Sequence, residues 1–280
     1  MADKPTTGAG YRSEQVELVR ATCLYVATKL GDLMDDLVIV GGLVPTLLIE
    51  QGSLHAGADA HVGTMDLDVG LGLALLDEER YRTLTERLRS AGFEQDFNED
   101  GNPTRQRWKI EKQAKVTIDF LIQPSLAGDR GGRLRNIETD FAALITPGLH
   151  LAFLDRERIT LSGRNILGEQ ATRDVWVCGP GAYVVLKSLA FRNRGENKDA
   201  YDLYYLVRYY GKAIENVASR LKPLLADPVV QRSINFLKED FQDHNGVGPR
   251  RVAEFILGTS DDEIQADVVG FIARLLDLCR

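Results

Sequence analysis

Apolar residues at Val16, Val19, Cys23 and Val26 recur at helical spacing and predict an amphipathic helix over residues 13–31, opened by Ser13 and Glu14 and stopped by Gly31. The run "LVIVGG" that follows predicts a short buried strand ending at Gly41 and Gly42. "LVPTLLIEQG" (43–52) predicts a helix opening at those glycines, with Pro45 tolerated in its first turn. "SLHAGADAHVG" is a loop by its Gly and Ala content. In "MDLDVGLGL" the odd positions Met65, Leu67, Val69, Leu71 and Leu73 are apolar, which predicts a strand over 65–73 with Asp66 and Asp68 on the face away from a core. Residues 76–93 form an amphipathic helical pattern with acids at the start and Gly92 at the end. "TRQRWKI" (104–110) and "KVTIDFLI" (115–122) alternate and are joined by "EKQA", a hairpin pattern. The stretch 123–178 is the least regular, a loop followed by short strands such as "RITLSG" and "DVWVCG". Beyond about Pro180 the pattern is helical throughout, so the chain is expected to be α/β (α+β), with one domain over 1–178 and a helical domain over 179–280.

Composition supports an ordinary globular chain of 280 residues, 44% hydrophobic and 27% charged, long enough for two domains. The first ten residues lack the apolar core of a secretion signal, and no uninterrupted apolar stretch approaches the roughly 20 residues of a membrane helix, so a cytoplasmic location without a membrane partner is expected. Cys23, Cys178 and Cys279 are odd in number and widely spaced, which suggests neither a disulfide framework nor a zinc site. His55, His61, His150 and His244 show no ligand spacing and read as loop or surface residues. The net charge of −7 argues against a general polyanion binder. That charge is uneven, however. Eight basic residues between Arg105 and Arg135 face three acids, and four basic residues between Lys187 and Lys198 face one, so the two basic islands fit local anion sites better.

The strand periodicity carries the candidate chemistry. In "VTIDFLI" the apolar Val116, Ile118, Phe120 and Ile122 share one face and leave Asp119 on the other. If this strand lies close to the D-x-D strand, Asp66, Asp68 and Asp119 converge, and converging carboxylates raise one another's pKa unless cations neutralise them. Oxygen ligands of this kind suit Mg²⁺, and paired ions serve in-line phosphoryl displacement. D-x-D alone is a weak signal, common on the solvent face of an antiparallel sheet. Gly41 and Gly42 place backbone N–H groups where a phosphate can approach, although Gly-Gly is also a plain strand-to-helix turn. Arg105, Arg107 and Lys109 alternate with Gln106, Trp108 and Ile110, so with Trp108 and Ile110 in the core the three basic residues flank Asp119, ready for acceptor phosphates or simply solvated.

Strand, Gly-Gly, helix, loop, D-x-D strand and a later strand with a third Asp together resemble the DNA polymerase beta-like nucleotidyltransferase superfamily. "VVLKSLAFRNRGENKDAYDLYYLVRYY" (184–210) narrows the resemblance to the AbiEii/AbiGii toxin-type nucleotidyltransferases, through a helical Lys187 followed by Lys198, Asp199, Asp202 and Leu203. The resemblance covers about residues 35–210. It implies a nucleotidyltransferase fold, a small mixed sheet flanked by helices and followed by a C-terminal helical domain, with transfer of a nucleoside monophosphate from an NTP. In that scheme Asp66, Asp68 and Asp119 hold Mg²⁺, and Gly41, Gly42 and Thr64 position phosphates. Lys187 neutralises charge, Asp202 assists catalysis, and Arg194, Lys198 and Asp199 bind the nucleotide. An RNA acceptor at the 3′ end of a tRNA, contacted by Arg105, Arg107 and Lys109, and a cognate antitoxin protein are further implications. Against this stand first-turn and ion-pair roles for Asp199 and Asp202. Two rival functions are a nucleotidyltransferase for an aminoglycoside-like small molecule or a protein hydroxyl, and a non-catalytic nucleotide-binding module.

Overall fold

The computed structural model describes residues 5–54, 58–72, 78–98, 100–112 and 115–280; His55, Leu73, the first two residues of the 76–93 pattern, and Gln113 and Ala114 of the hairpin turn lie outside the described residues. In chain order the elements are α1 (Ser13–Leu30), β1 (Leu37–Val40), α2 (Val44–Leu48), β2 (Asp66–Leu71), α3 (Glu78–Ser90), β3 (Glu94–Phe97), β4 (Pro103–Glu111), β5 (Lys115–Ile122), β6 (Leu134–Glu138) and β7 (Phe141–Ile145). They continue with α4 (Leu151–Leu154), β8 (Arg156–Arg164), β9 (Gln170–Cys178), α5 (Pro180–Arg194), α6 (Asn197–Tyr209), α7 (Ile214–Leu221), α8 (Pro228–Phe241), α9 (Val247–Leu257) and α10 (Asp262–Leu278). Two compact units result. The first comprises Ser13–Leu43 and Thr64–Cys178; the second comprises Val44–Gly63, Gly179–Arg280 and the N-terminal residues 5–12. The second unit thus includes more than the residues after Gly179, because Val44–Gly63, with helix α2, counts with it. Among the described residues no helix is long and apolar enough to cross a membrane.

In the first unit the described strands form one mixed sheet in the order β3-β4-β5-β2-β1-β9-β8, with β7 beside the far half of β5 and β6 on β7. β2 runs antiparallel to β1 and parallel to β5, and β5 runs antiparallel to β4. One face of the sheet is apolar, as the period-2 pattern of β2 and β5 requires: Leu67, Val69, Ile118, Phe120 and Trp108 are buried. Helices α1 and α3 lie against this sheet. Phe141 of β7 sits at its aromatic centre, 5.1 Å from the Phe120 ring and 6.1 Å from Trp108. The Tyr25 hydroxyl on α1 donates to the Ala91 carbonyl at the end of α3 at 2.8 Å, joining the two covering helices.

Within 123–178 the structure holds more strand than the sequence shows. β8 and β9 are nine residues each and pair along their whole length, closed by a turn in which the Asn165 side chain accepts from the N–H groups of Leu167 and Glu169. β6 and β7 form a second antiparallel pair. "FAALI" is an unbroken apolar run, which periodicity cannot assign to strand or helix, and "LRNIE" is a polar partner without alternation.

The second unit is helical from Pro180 onward. α5 begins with Pro180 in its first turn and ends at Gly195 in the left-handed conformation. α8 and α10 are capped by Asp227 and Asp261, whose side chains accept from the N–H of Val229 and Ile264. A Cβ on Gly181 would meet the Arg220 carbonyl at 2.5 Å, so α5 and α7 approach closely through a residue without a side chain. Helix α2 has five residues rather than the ten of "LVPTLLIEQG". It stops at Leu48, and the Gln51 amide turns back to donate to the Ile49 and Pro45 carbonyls, closing the helix end.

Candidate active site

The first unit brings the predicted carboxylates into adjacent rows of one sheet face. Asp68 of β2 stands in register with Asp119 of β5, and Asp119 with Arg107 of β4. On the other side Asp68 is in register with Val40, the residue before Gly41. The next row along the strands runs Asp66, Thr117, Lys109 and Glu94. Side chains in register share a face, so backbone pairing alone makes Asp66, Asp68, Asp119, Arg107 and Lys109 neighbours on the face opposite the apolar core.

Local contacts fix these side chains. The Thr64 hydroxyl donates to Asp66 at 2.9 Å, and both residues are buried. Thr64 therefore orients a carboxylate directly. Gly41 has φ +71°, and a Cβ built there would overlap the Asp68 carboxylate, so this glycine is required both by its backbone and by its neighbour. Gly41→Ala is expected to cost about 1–2 kcal/mol through the left-handed backbone alone and to displace Asp68; chemical denaturation of the variant beside wild type measures it.

A helix opening at Gly41 and Gly42 would add its dipole to the N–H groups there as an anion attractor. With α2 only five residues long, few peptide dipoles add up, and what remains is main chain at Gly41 and Gly42 entering a short 3₁₀ turn over Gly41–Leu43.

Arg107 pairs with Asp119 across β4 and β5. Its Nε donates to Asp119 at 2.7 Å while a second guanidinium nitrogen meets the other carboxylate oxygen, a two-point contact between side chains only 14% and 16% exposed. The hydrogen bond to Asp119 holds the guanidinium well above its ordinary pKa against the cost of burial, and the charges of Asp119, Asp66 and Asp68 all add to that effect. Lys109 pairs with Glu94 at 3.2 Å, and Arg105 is exposed, reaching Asn136 at 3.5 Å. Of the three residues expected at acceptor phosphates, Arg107 and Lys109 already serve partners in the sheet.

Two carboxylates on this face have the hard-oxygen chemistry that suits Mg²⁺. Asp66 and Asp68 are hard oxygen donors two positions apart on one strand face, and Mg²⁺ is commonly bound by one or two carboxylates together with substrate phosphates and water. Among the described residues no set of three His, Cys, Asp or Glu side chains is arranged to hold one metal ion. Asp119 is therefore not arranged with Asp66 and Asp68 as a ligand triad; its carboxylate is engaged by Arg107.

In the second unit the Lys187 motif is a buried ion network. Lys187 on α5 donates to Asp199 at 2.9 Å and Asp202 at 2.7 Å, both on α6. Asp202 also accepts from Lys198 at 2.6 Å and from His61 at 2.9 Å, and Asp199 accepts from Arg194. Burial works against charge on Lys187, but Asp202 and Asp199 offset it and hold the ammonium above its usual pKa; the same cations hold Asp202 far below the carboxylate range despite burial. Lys198 is lowered, first by burial. The expectation that Lys187, Arg194 and Lys198 face a triphosphate thus meets three cations whose acceptors lie within their own unit. A cleft of about 280 Å³ beside them, lined by Arg194, Lys198 and Arg251, gains little anion affinity, since Asp199, Asp202 and Glu254 match those cations.

His61 is the residue the sequence reading missed. Expected at a loop or surface, it is fully buried, stacked on Tyr201 at 5.5 Å between ring centroids. Gly63 N–H donates to Nδ1 at 3.0 Å, which makes Nδ1 an acceptor and puts the ring proton on Nε2, facing Asp202. Three residues separate it from the apolar pattern that starts at Met65, so no sequence periodicity marks it. Burial pushes its pKa down to about 4. Because the folded value lies below the unfolded one, neutral His61 favours the fold above pH 6.5, and roughly 3 kcal/mol of that is lost as pH falls from there toward 4. Urea midpoints at pH 7 and pH 4.5 are expected to differ in wild type and to converge in His61→Gln; an equal pH dependence in both would contradict this assignment.

No protein-family model matches the chain, and no curated protein does. Among solved structures, an antigenic nucleotidyltransferase-like protein from Paracoccidioides brasiliensis is similar over 77% of this chain and 91% of its own, with 16% sequence identity and a TM-score of 0.38.

Proposed function

We propose that this chain is a Mg²⁺-dependent nucleotidyltransferase, moving a nucleoside monophosphate from an NTP to an acceptor hydroxyl. The observation that supports this best is the row of Asp68 and Asp119 with Asp66 beside it: three carboxylates on one sheet face, bordered at Gly41 by a main-chain turn whose glycine makes room for Asp68. A solvated face would not need Thr64 to orient a buried Asp66 or Gly41 to clear Asp68.

Asp66 and Asp68 are the residues to hold Mg²⁺, which supplies positive charge to the phosphates and acidifies the acceptor hydroxyl. Gly41 and Gly42 offer main chain at the phosphates. Asp119 accepts the proton of the acceptor hydroxyl as its oxygen bonds to the α-phosphorus, and the bond from that phosphorus to the β-phosphate bridge breaks to release pyrophosphate. In the second unit Asp199 and Asp202 fix Lys187 and the α5–α6 pair, a supporting role in this reading.

For the acceptor, the resemblance to AbiEii/AbiGii toxins favours RNA at a tRNA 3′ end, a cytoplasmic setting and a cognate antitoxin. One observation favours the rival acceptor, a cationic small molecule or a protein hydroxyl: Arg107 and Lys109 are paired with Asp119 and Glu94, leaving Arg105 as the exposed member of the basic stripe. The test is incubation with Mg²⁺, each α-³²P-labelled NTP and total cellular RNA beside Asp66→Ala. Label in an RNA band with wild type alone supports RNA transfer and names the base. Label absent from RNA, with Mg²⁺-dependent NTP binding intact, moves the assignment to the rival acceptors, and no NTP binding at all overturns the enzyme.

A further inference from the structure

Folding divides the basic island between Arg105 and Arg135 into two sets. Arg107, Lys109, Lys115 and Arg135 are each paired with a carboxylate, on Asp119, Glu94, Asp96 and Asp129 in turn. Lys112 stands at the hairpin turn, at the far end of β4 from Arg105. What remains is Arg105, Arg130 and Arg133, all exposed and, among the described residues, without a carboxylate partner.

The first unit brings these three together around β6. Arg105 lies two residues before Arg107 on β4, hence on the carboxylate-bearing face, and it reaches Asn136 of β6 at 3.5 Å. The loop that leads into β6 carries the other two. Its one acid, Asp129, is engaged within the loop, accepting from the N–H groups of Ser125 and Leu126 and pairing with Arg135. The Arg133 N–H donates to the Arg130 carbonyl at 3.1 Å, and the Arg133 carbonyl accepts from Ile145 of β7 at 2.8 Å. Gly131 packs so closely on Pro147 that a Cβ there would meet its ring at 2.7 Å. Arg130 and Arg133 are thus presented by a loop tied to the sheet. Residues 123–136 together with Arg105 hold four arginines against one aspartate, a net charge of +3 in a chain of net −7.

We propose that Arg105, Arg130 and Arg133 form a docking surface for the phosphate backbone of a single-stranded RNA. Arginine is the fitting cation, because its planar fork meets phosphate oxygens at two points. Three such cations spread over a strand and a loop suit a chain of phosphates better than one small anion. Leu126 and Leu134 are the exposed large hydrophobics of this stretch, less apolar surface than the face of a membrane-seated helix provides. Backbone contacts of this kind position a strand without reading its sequence. The inference deepens the nucleotidyltransferase reading, on which the role of that RNA as acceptor rests: the exposed Arg105 is joined by two arginines outside the β4 stripe.

The test is fluorescence anisotropy of a labelled single-stranded RNA of mixed sequence across a KCl series, with neither NTP nor Mg²⁺ present. Wild type is expected to bind with an affinity that falls steeply as salt rises. Arg105→Gln/Arg130→Gln/Arg133→Gln is expected to bind about tenfold or more weakly and to lower the slope of log affinity against log salt by about 2, since each phosphate contact on a single strand contributes roughly 0.7. Arg105→Lys/Arg130→Lys/Arg133→Lys keeps the charges and is expected to keep most of the slope, a rescue that a purely structural role would not give. Should circular dichroism show the Gln triple unfolded, Arg130→Gln/Arg133→Gln takes its place, with a slope change of about 1.4. No RNA bound by wild type, or an unchanged slope and affinity in the Gln variants, overturns this surface alone. So does arginine-dependent binding to phosphatidylglycerol vesicles with none to RNA. RNA bound through these arginines but never labelled from an NTP leaves the surface standing and removes RNA as the acceptor.

Discussion

Asp68→Asn is expected to fold like wild type and to lose roughly 10²–10³-fold or more in kcat for nucleotidyl transfer, the scale seen when one preorganised electrostatic group is removed from a reaction that develops charge. Asn matches Asp in size, so the space that Gly41 leaves for this side chain stays filled and β2 keeps its register with β1 and β5. What changes is one negative charge in the row shared with Asp119. The loss is expected in kcat, read by single-turnover kinetics, with an unchanged melting curve by circular dichroism. Thr64→Val, which removes only the hydroxyl that orients Asp66, is expected to fall in between. A transfer rate for Asp68→Asn within a few-fold of wild type would remove this residue from the chemistry.

The largest stability effect is expected at Asp202→Leu. Asp202 is completely buried and accepts from Lys187, Lys198 and His61 at once. Removing it leaves two buried ammonium groups facing one another with only Asp199 to share, and breaking a buried ion pair by deleting one partner typically costs about 3–5 kcal/mol. Calorimetry is expected to show the transition of the helical unit lowered by roughly 6–20 °C. Leu, matched in volume, separates lost charge from lost packing: a shift under 2 °C would mean the network is not what holds α5 to α6. Asp119→Leu gives the contrast, since Arg107 can there turn toward Asp66 and Asp68, whose charges already reach it.

Much of the first unit is legible from the sequence because it is built on period 2. "MDLDVGLGL" and "KVTIDFLI" each place aspartate and apolar residues on opposite faces, and the observed register sets Asp68 against Asp119. The hairpin of β4 and β5 and the core positions of Trp108 and Ile110 follow from the same alternation. β6 and β7 escape because LRNIE has no period-2 alternation and FAALI is apolar throughout. α2 is overestimated because "LLIEQG" carries helical residues whose run the Gln51 side chain ends by bonding back to the main chain. The site was readable as positions but not as partners. Sequence spacing puts Lys187 and Arg194 on one face of a helix, yet only the packing of α5 on α6 shows that both point to Asp199. His61 is invisible in sequence for the same reason: it reaches Asp202 across 141 residues of chain.

The most direct test of the central claim is the identity of the small product. Purified protein, Mg²⁺, each NTP in turn and total RNA are combined, and pyrophosphate and orthophosphate are quantified separately, beside an Asp66→Asn/Asp68→Asn double variant. Attack at the α-phosphorus releases pyrophosphate, so the expected result is pyrophosphate equal in amount to the nucleotide incorporated, with none from the double variant. Orthophosphate as the product, or pyrophosphate formed equally well without both aspartates, would contradict a nucleotidyl transfer carried by the Asp66–Asp68 face.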